Sequence, residues 1–248
     1  MPNPPNPPIR TLDLEILRQP DDASCGPTCL HAVYRYLGDD IGLDEVVAGV
    51  PQLEAGGTLA VSLANHALRR DYRALIVTYN LAVFDPSWFE APSTDLAERL
   101  REQARVKHDA RLSEATKAYL EFLELGGELA MQDLTPDLLR HWLECDRPIL
   151  TGLSATFLYR AMRETGSDQL VEDDLRGGPT GHFVILSGWD PEARAVRVAD
   201  PLEDTPRFHG HVYWAPVERV INAILLGVLT DDANLLLLEP PLRRDPPA

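Results

Sequence analysis

The chain has few basic residues, few cysteines and no long unbroken apolar run, and each shortage excludes a class of protein. It carries 23 Lys and Arg residues against 39 Asp and Glu residues, which gives a formal net charge of −16. Such a charge disfavours binding to nucleic acid or to an anionic membrane surface, because both are polyanions. The longest apolar region, residues 221–239, is interrupted by Asp231 and Asp232. It therefore predicts no membrane span.

The cysteine content bears on compartment and on metal binding. The chain has three cysteines and no basic segment followed by an apolar run, as a secretory signal would have. Both features favour a reducing, cytoplasmic setting. No Cys or His pair has zinc-site spacing, and Gly56-Gly57 lacks the Lys of a phosphate-binding loop. The sequence predicts no metal and no cofactor, and it leaves the oligomeric state open.

Composition predicts one domain between two short ends. Residues 1–10 are rich in proline and predict a disordered arm, residues 11–240 predict a single domain, and residues 241–248 predict a tail. A charged segment at about 93–145 predicts a helical insertion, with one helix running over 95–125. This insertion is either a lid over a cleft or an exposed helix with a solvated face.

Other patterns predict individual elements. Residues 12–17 predict a short strand, and residues 156–164 predict a helix. The apolar runs 223–229 and 235–238 predict a buried hairpin.

The segment around Cys25 predicts a reactive thiol. Apolar residues recur at i, i+3, i+4 and i+7 from Leu30 to Leu37, which predicts a helix that begins near Cys25, with Pro27 in its first turn. Unpaired N–H groups and the dipole at the start of a helix favour negative charge on a sulfur placed there. The alternative is a buried core cysteine.

The other two cysteines, Cys29 and Cys145, are expected to be ordinary buried residues.

Among seven histidines, His182 is the best candidate to partner the thiol. It opens a β-rich run, whereas His31 lies too far along the predicted helix, and His66 falls in a charged helical stretch and is expected at the surface. A hairpin centred near Pro191 would pair His182 with Asp200 on one face of the sheet. The alternatives are a histidine bonded to backbone and an aspartate in a turn.

Gln19 lies six residues before Cys25 and predicts an oxyanion donor. A side-chain amide beside a backbone N–H stabilises the negative charge that develops during acyl transfer. The alternative is a solvated polar residue. Gly26 and Gly181 stand next to the predicted nucleophile and base, and we expect them to border the substrate, because glycine permits close approach.

Taken together, Gln19, Cys25-Gly26, His182 and Asp200-Pro201 resemble the pattern of the bacteriocin-processing cysteine peptidases, a branch of the papain-like clan. The family pattern is Gln, five residues, Cys-Gly and a helix, followed later by a Gly-His-hydrophobic strand and an Asp-Pro strand end. The match covers residues 12–38 and 145–202.

This resemblance implies an α+β, papain-like fold in which the Cys-bearing helix packs on an antiparallel sheet carrying His and Asp. It also implies a Cys–His dyad oriented by Asp200, with an oxyanion hole from Gln19 and the Cys25 backbone N–H. The chain departs from the family in its longer Cys-to-His gap and in having no transporter segment, so a double-glycine leader peptide is not assumed as the substrate.

The predicted function is a stand-alone cysteine peptidase or amidase that hydrolyses a peptide or a small amide through an acyl-enzyme on Cys25. The sequence leaves two alternatives open. One is an acyltransferase or transpeptidase that uses the same Cys-His-Asp site, and the other is a catalytically silent peptide-binding module.

Overall fold

A computed structural model describes residues 8–53, 56–166, 171–230 and 232–241. Residues 1–7 of the predicted arm and residues 242–248 of the predicted tail lie outside these ranges.

Helices and strands alternate irregularly along the described chain. The helices are α1 Cys25–Tyr36, α2 Leu43–Gly49, α3 Ala60–Arg69, α4 Leu96–Val106, α5 Ala110–Glu124, α6 Pro136–Glu144, α7 Ala155–Tyr159 and α8 Val217–Leu226. The strands are β1 Arg10–Thr11, β2 Arg73–Thr78, β3 Glu128–Ala130, β4 Ile149–Ser154, β5 Glu164–Thr165, β6 Val171–Glu172, β7 Gly181–Asp190, β8 Ala195–Ala199, β9 Val212–Pro216 and β10 Asn234–Glu239. Short 3-10 helices occupy Pro86–Phe89 and Gly227–Thr230.

Most of the strands join one sheet, in the order β3-β2-β10-β4-β7-β8-β9, and β1 pairs with β7 away from this path. The pairing of β2 with β3 is parallel and the other pairings in this sheet are antiparallel. The strands β5 and β6 form a separate small hairpin.

The sheet separates two apolar cores. Side chains from α1, α2, α3 and α5 form one core, and side chains from α6, α7 and α8 form the other. Successive residues of β7 alternate between them: Phe183 and Ile185 join the first core, and Val184 and Leu186 join the second. Helices thus cover both faces of a mainly antiparallel sheet, and the predicted α+β class is confirmed.

The predicted insertion helix over 95–125 is divided. Asp95 accepts a hydrogen bond from the Glu98 N–H at 2.9 Å and caps α4, and Asp109 accepts one from the Leu112 N–H at 2.8 Å and caps α5. The second cap starts a new helix inside the charged stretch. The prediction of one continuous helix over 95–125 is therefore wrong.

The predicted hairpin of 223–229 with 235–238 is also wrong in its first half. Residues in that half belong to α8 and to the 3-10 helix that follows, and only the second run forms a strand, β10. The helical face starts earlier, with Val217, Val220 and Ile224 buried at i, i+3 and i+7. The residues between the two runs, where the turn of such a hairpin would fall, include Asp231, which lies outside the described residues.

The strand predicted over 12–17 is absent, and one predicted helix is shorter than expected. In the segment 12–17, Leu12, Leu14 and Ile16 are buried alternately, but the strand β1 ends before them at Thr11. The predicted helix over 156–164 ends as α7 at Tyr159, because Arg160 adopts a left-handed conformation with φ of 54°.

Two burial predictions fail. Cys145 is exposed rather than buried, because it follows the last residue of α6 as its C-cap. His66 is buried rather than exposed, because it lies on the inner face of α3, where its Nδ1 is 2.8 Å from the Tyr34 hydroxyl. Among the described helices, none has the length and apolar character that crossing a membrane requires.

Candidate active site

Cys25 is the first residue of α1, and its side chain is almost fully buried. The preceding Ser24 does not cap the helix with its side chain, since its Oγ donates to Asp21 Oδ1 at 2.7 Å. The N–H groups of the first turn are therefore left without a side-chain cap beside the thiol. This arrangement favours an anion at the start of α1.

Two hydrogen bonds hold Gln19 in the loop before α1, one to Pro201 and one within the loop to Asp21. The Gln19 backbone N–H donates to the carbonyl oxygen of Pro201 at 3.2 Å, and its Nε2 donates to the Asp21 carbonyl oxygen at 2.8 Å. An amide nitrogen carries two hydrogens, so Nε2 can still donate to a second acceptor. The loop is thus anchored beside Asp200, the residue before Pro201.

His182 is the second residue of β7 and forms a buried pair with Asp200. The distance between His182 Nε2 and Asp200 Oδ1 is 2.9 Å, and the two residues are 7% and 0% exposed. The Cys25 thiol lies close enough to the same imidazole to contribute to raising its pKa. Because Asp200 occupies Nε2, the ring nitrogen that remains for the thiol is Nδ1.

The strand register that brings this pair together differs from the predicted one. Ile185 pairs with Ala199, and extending this register places His182 opposite Leu202. The predicted pairing of His182 with Asp200 is therefore wrong by two residues. A shift of two keeps a side chain on the same face of the sheet, so the two side chains still meet, on a diagonal.

Asp200 accepts four hydrogen bonds. Its Oδ1 accepts from His182 Nε2 and from the Leu202 N–H at 2.9 Å each, and its Oδ2 accepts from the hydroxyls of Tyr159 at 2.6 Å and Tyr213 at 2.7 Å. Burial acts to raise the pKa of Asp200, but His182 and the two tyrosines outweigh it and lower that pKa. The carboxylate therefore stays ionised inside the protein.

The pKa of His182 shifts in the opposite direction. Burial acts to lower it, but the charge and the hydrogen bond of Asp200, followed by interactions with Cys25, raise it from 6.5 to about 10. The imidazolium is thus the favoured form at neutral pH, held between a carboxylate and a sulfur.

Sequence reasoning missed Tyr159 and Tyr213. Tyr213 lies on β9, where Tyr213 and Ala215 are buried and alternate with the exposed Val212 and Trp214, and Tyr159 ends α7. A tyrosine that is buried by such a pattern must place its hydroxyl against a polar partner, which is the available signal. Phe208 stacks on Tyr213, with ring centroids 3.9 Å apart and planes within 3°.

The two predicted substrate-binding glycines lie against the protein itself. A Cβ on Gly26 would come within 3.1 to 3.2 Å of Thr58, Leu63 and Phe183 side-chain atoms, so this glycine lets α1 pack closely. A Cβ on Gly181 would meet Thr230 at 2.8 Å. Their contact with a substrate remains a prediction.

Cys29, one turn after Cys25, has the character of a core residue. Its Sγ donates to the Phe183 carbonyl oxygen at 3.3 Å. Burial, followed by the proximity of Cys25 and Asp200, raises its pKa well above the usual value. This thiol stays protonated. In the described ranges, no three His, Cys, Asp or Glu side chains are grouped as a metal site would require.

Comparison with known proteins gives structural relatives only. No family model and no curated protein matches the chain. A Bacillus anthracis protein assigned as a C39-like peptidase matches with a TM-score of 0.51 and 13% identity, over 95% of this chain and all of that one.

Two further solved structures match less well. They are xylellain, a cysteine protease from Xylella fastidiosa, and a double glycine motif protease from an AMS/PCAT transporter in complex with the leader peptide. Xylellain matches with a TM-score of 0.44 and 14% identity over 96% of this chain and 87% of that one. The transporter protease matches with a TM-score of 0.42 and 12% identity over 93% of this chain and 94% of that one.

At these identities the comparisons bear on the fold alone. The Bacillus anthracis match spans nearly the whole chain. The predicted resemblance to this group of cysteine peptidases, and with it the papain-like fold, is confirmed at that level.

Proposed function

We propose that this protein is a cysteine hydrolase that cleaves a peptide or amide bond through an acyl-enzyme on Cys25. The observation that carries the proposal is the buried His182–Asp200 pair beside a thiol at the start of α1. The pair fixes one ring nitrogen and leaves the other for the sulfur, which is the geometry of an activated nucleophile.

In the proposed first half-reaction, Cys25 attacks the substrate carbonyl carbon as a thiolate. The carbonyl oxygen gains negative charge, and Gln19 Nε2 together with the Cys25 backbone N–H donates hydrogen bonds to it. The His182 imidazolium then gives its proton to the leaving amine as the C–N bond breaks. The products are a free amine and a thioester on Cys25.

In the second half-reaction, neutral His182 takes a proton from water, and the resulting hydroxide attacks the thioester. Collapse of the intermediate expels the Cys25 thiolate, and His182 keeps the proton, so the ion pair is restored. Asp200 holds the tautomer and orientation of His182 throughout. The same chemistry supports a reducing, cytoplasmic location, because the nucleophile has to remain a free thiol.

Alkylation of the thiols tests the activated nucleophile. Cys145 is exposed and serves as an ordinary reference thiol in the same molecule. We expect iodoacetamide to label Cys25 at pH 6 faster than Cys145, as measured by mass spectrometry of peptides. The His182→Ala variant should remove this advantage, and labelling of Cys145 should not change. Equal pH dependence of the two thiols in the folded wild-type protein would contradict the proposal.

A library of peptides with fluorogenic C-terminal amides tests the reaction. Wild-type protein should release the fluorophore from a subset of peptides, and Cys25→Ala should reduce this to background while Cys145→Ala remains active. Mass spectrometry should detect the acyl group on Cys25. Added amines distinguish the predicted alternatives: an acyltransferase would give mainly amide products, and a silent binding module would give no turnover with any peptide.

A further inference from the structure

An arginine cluster lies at the surface next to α7 and α8. It consists of Arg160, which follows α7, Arg219 on α8, and Arg207 in the segment before β9. A cavity of about 370 Å³ opens beside two of them, lined by Thr156, Phe157, Arg160, Arg219 and Asn222.

The arginines of this cluster lack carboxylate partners, although Arg207 lies over the Phe208 ring at 5.9 Å from its centroid. Among the described residues, no carboxylate forms an ion pair with any of the three arginines, although Asp and Glu greatly outnumber Lys and Arg in the chain. The Nη1 atom of Arg219 is buried and has no hydrogen-bond partner. Burial, followed by the charges of Arg160 and Arg207, lowers the pKa of Arg219. An unpaired buried donor and mutual repulsion both cost stability.

Several arginines elsewhere in the protein form ion pairs with carboxylates. Arg70 pairs with Asp39 at 2.6 Å and Arg194 pairs with Glu218 at 2.5 Å. Arg73 also pairs with a carboxylate, that of Glu239. The cluster therefore contrasts with these paired arginines, because it brings three arginines without carboxylate partners together at one surface.

We propose that the arginine cluster is a binding site for an oxyanion group, a carboxylate or a phosphate, which enters the cavity and accepts hydrogen bonds from Arg160 and Arg219. Guanidinium groups bind both anions through paired N–H donors. The Asn222 amide and the Thr156 hydroxyl supply further polar groups at the wall. The exposed ring of Phe157 supplies an apolar wall for the part of the ligand that carries the anion.

The site is distinct from the proposed catalytic residues but close to them in sequence. Arg160 directly follows Tyr159, and Arg207 directly precedes Phe208, which stacks on Tyr213. Both tyrosines donate to Asp200, and neither contributes to the lining of the cavity. The proposal does not depend on catalysis and can be tested in a Cys25→Ala protein.

The test measures binding of two probes at constant ionic strength: inorganic phosphate and the dipeptide Glu-Glu. Calorimetric titration gives Kd, and thermal unfolding gives the midpoint. We expect at least one probe to saturate and to raise the midpoint by roughly 3 to 6 °C at ten times its Kd. Arg219→Met and Arg160→Met should each weaken binding at least tenfold.

The matched control is Arg105→Met, which removes an equal charge from an exposed position on α4. It should bind like the wild type. Saturation by phosphate alone would assign a phosphate-bearing ligand, and saturation by Glu-Glu alone would assign a carboxylate ligand. Saturation by both probes would show that the site accepts either anion. The proposal is overturned if neither probe saturates. It also fails if folded Arg160→Met binds as tightly as Arg105→Met, because the effect would then be one of bulk ions.

Discussion

Replacement of Asp200 by Asn tests the electrostatic basis of the candidate site. The substitution keeps the shape of the side chain and an oxygen that can accept from His182, but it removes the negative charge. Without that charge, burial, the largest influence on His182, lowers its pKa and is opposed by the weaker interactions with Cys25. His182 should therefore be neutral at pH 7 in the variant, whereas it is an imidazolium in the wild type.

The expected loss of stability follows from the burial of the pair. A shift of the His182 pKa from 6.5 to about 10 corresponds to about 5 kcal/mol, and breaking a buried ion pair typically costs about 3 to 5 kcal/mol. Asn retains part of the hydrogen bonding of Asp200. We therefore expect the free energy of unfolding near pH 6 to fall by about 3 kcal/mol.

The sign of the pH dependence follows from the two shifts. The folded-state pKa of His182 is raised, so its stabilising contribution is complete below pH 6.5 and is lost as the pH rises towards about 10. The pKa of Asp200 is lowered from 3.8, so its contribution is present above that pH and is lost as the pH falls below it. The stability difference between wild type and variant should therefore be largest between about pH 4 and 6.5.

Urea unfolding at several values between pH 5 and 10 measures this difference, and NMR of the His182 ring nitrogens reports its protonation. A wild-type advantage below about 1 kcal/mol at pH 6, or one that grows from pH 6 to pH 9, would refute the reasoning. A neutral His182 in the wild type at pH 7 would refute it independently.

Four further substitutions, of which Tyr34→Phe is a control, test individual contacts. Tyr213→Phe should lower the free energy of unfolding, measured in urea, by about 1.5 to 3 kcal/mol, because it removes a hydrogen bond to an ionised buried carboxylate. The control Tyr34→Phe removes a hydroxyl that contacts a neutral histidine partner, His66, and should lower it by only about 1 kcal/mol. Gln19→Ala should lower kcat on the fluorogenic peptides about 10²- to 10³-fold with little change in the unfolding midpoint, and an unchanged kcat would remove Gln19 from the oxyanion hole. Gly26→Ala should cost about 1 kcal/mol in urea, because the added methyl group would lie 3.1 to 3.2 Å from buried side chains, and a more stable variant would contradict this packing argument.

The elements that carry the candidate site could be predicted largely because the sequence pattern near each candidate residue favours one type of element. The helical spacing after Cys25 and the β-rich run after His182 each determine an element, and α1 and β7 are observed at those positions. The meeting of His182 and Asp200 depends only on the parity of the strand register. For that reason an error of two residues in the register did not separate them.

The features that the sequence did not predict depend on tertiary context. Tyr159 and Tyr213 reach Asp200 from a helix and a strand that are more than fifty residues apart, and neither position carries a local motif. The segment 223–229 has an apolar composition that suits a strand or a helix equally, and packing of α8 on β4 decides between them. The sequence around Arg219 predicts only a charged residue on a helix, because the other arginines of the cluster are brought to it by the fold.

Asp200 and Arg219 differ in how the chain satisfies the buried polar atoms of a charged side chain: Asp200 is fully buried, and Arg219 is half-buried with its Nη1 atom inside the protein. Four donors from this chain satisfy Asp200, so its charge is retained at a fixed place and can orient His182 without a ligand. Arg219 has a buried Nη1 with no partner and has other cations as neighbours, so the chain alone does not compensate the cost of its position. A residue of the first kind needs no ligand to satisfy its charge. An anion bound beside Arg219 would supply the missing acceptor, and on this argument we propose Asp200 for the catalytic site and Arg219 for a ligand site.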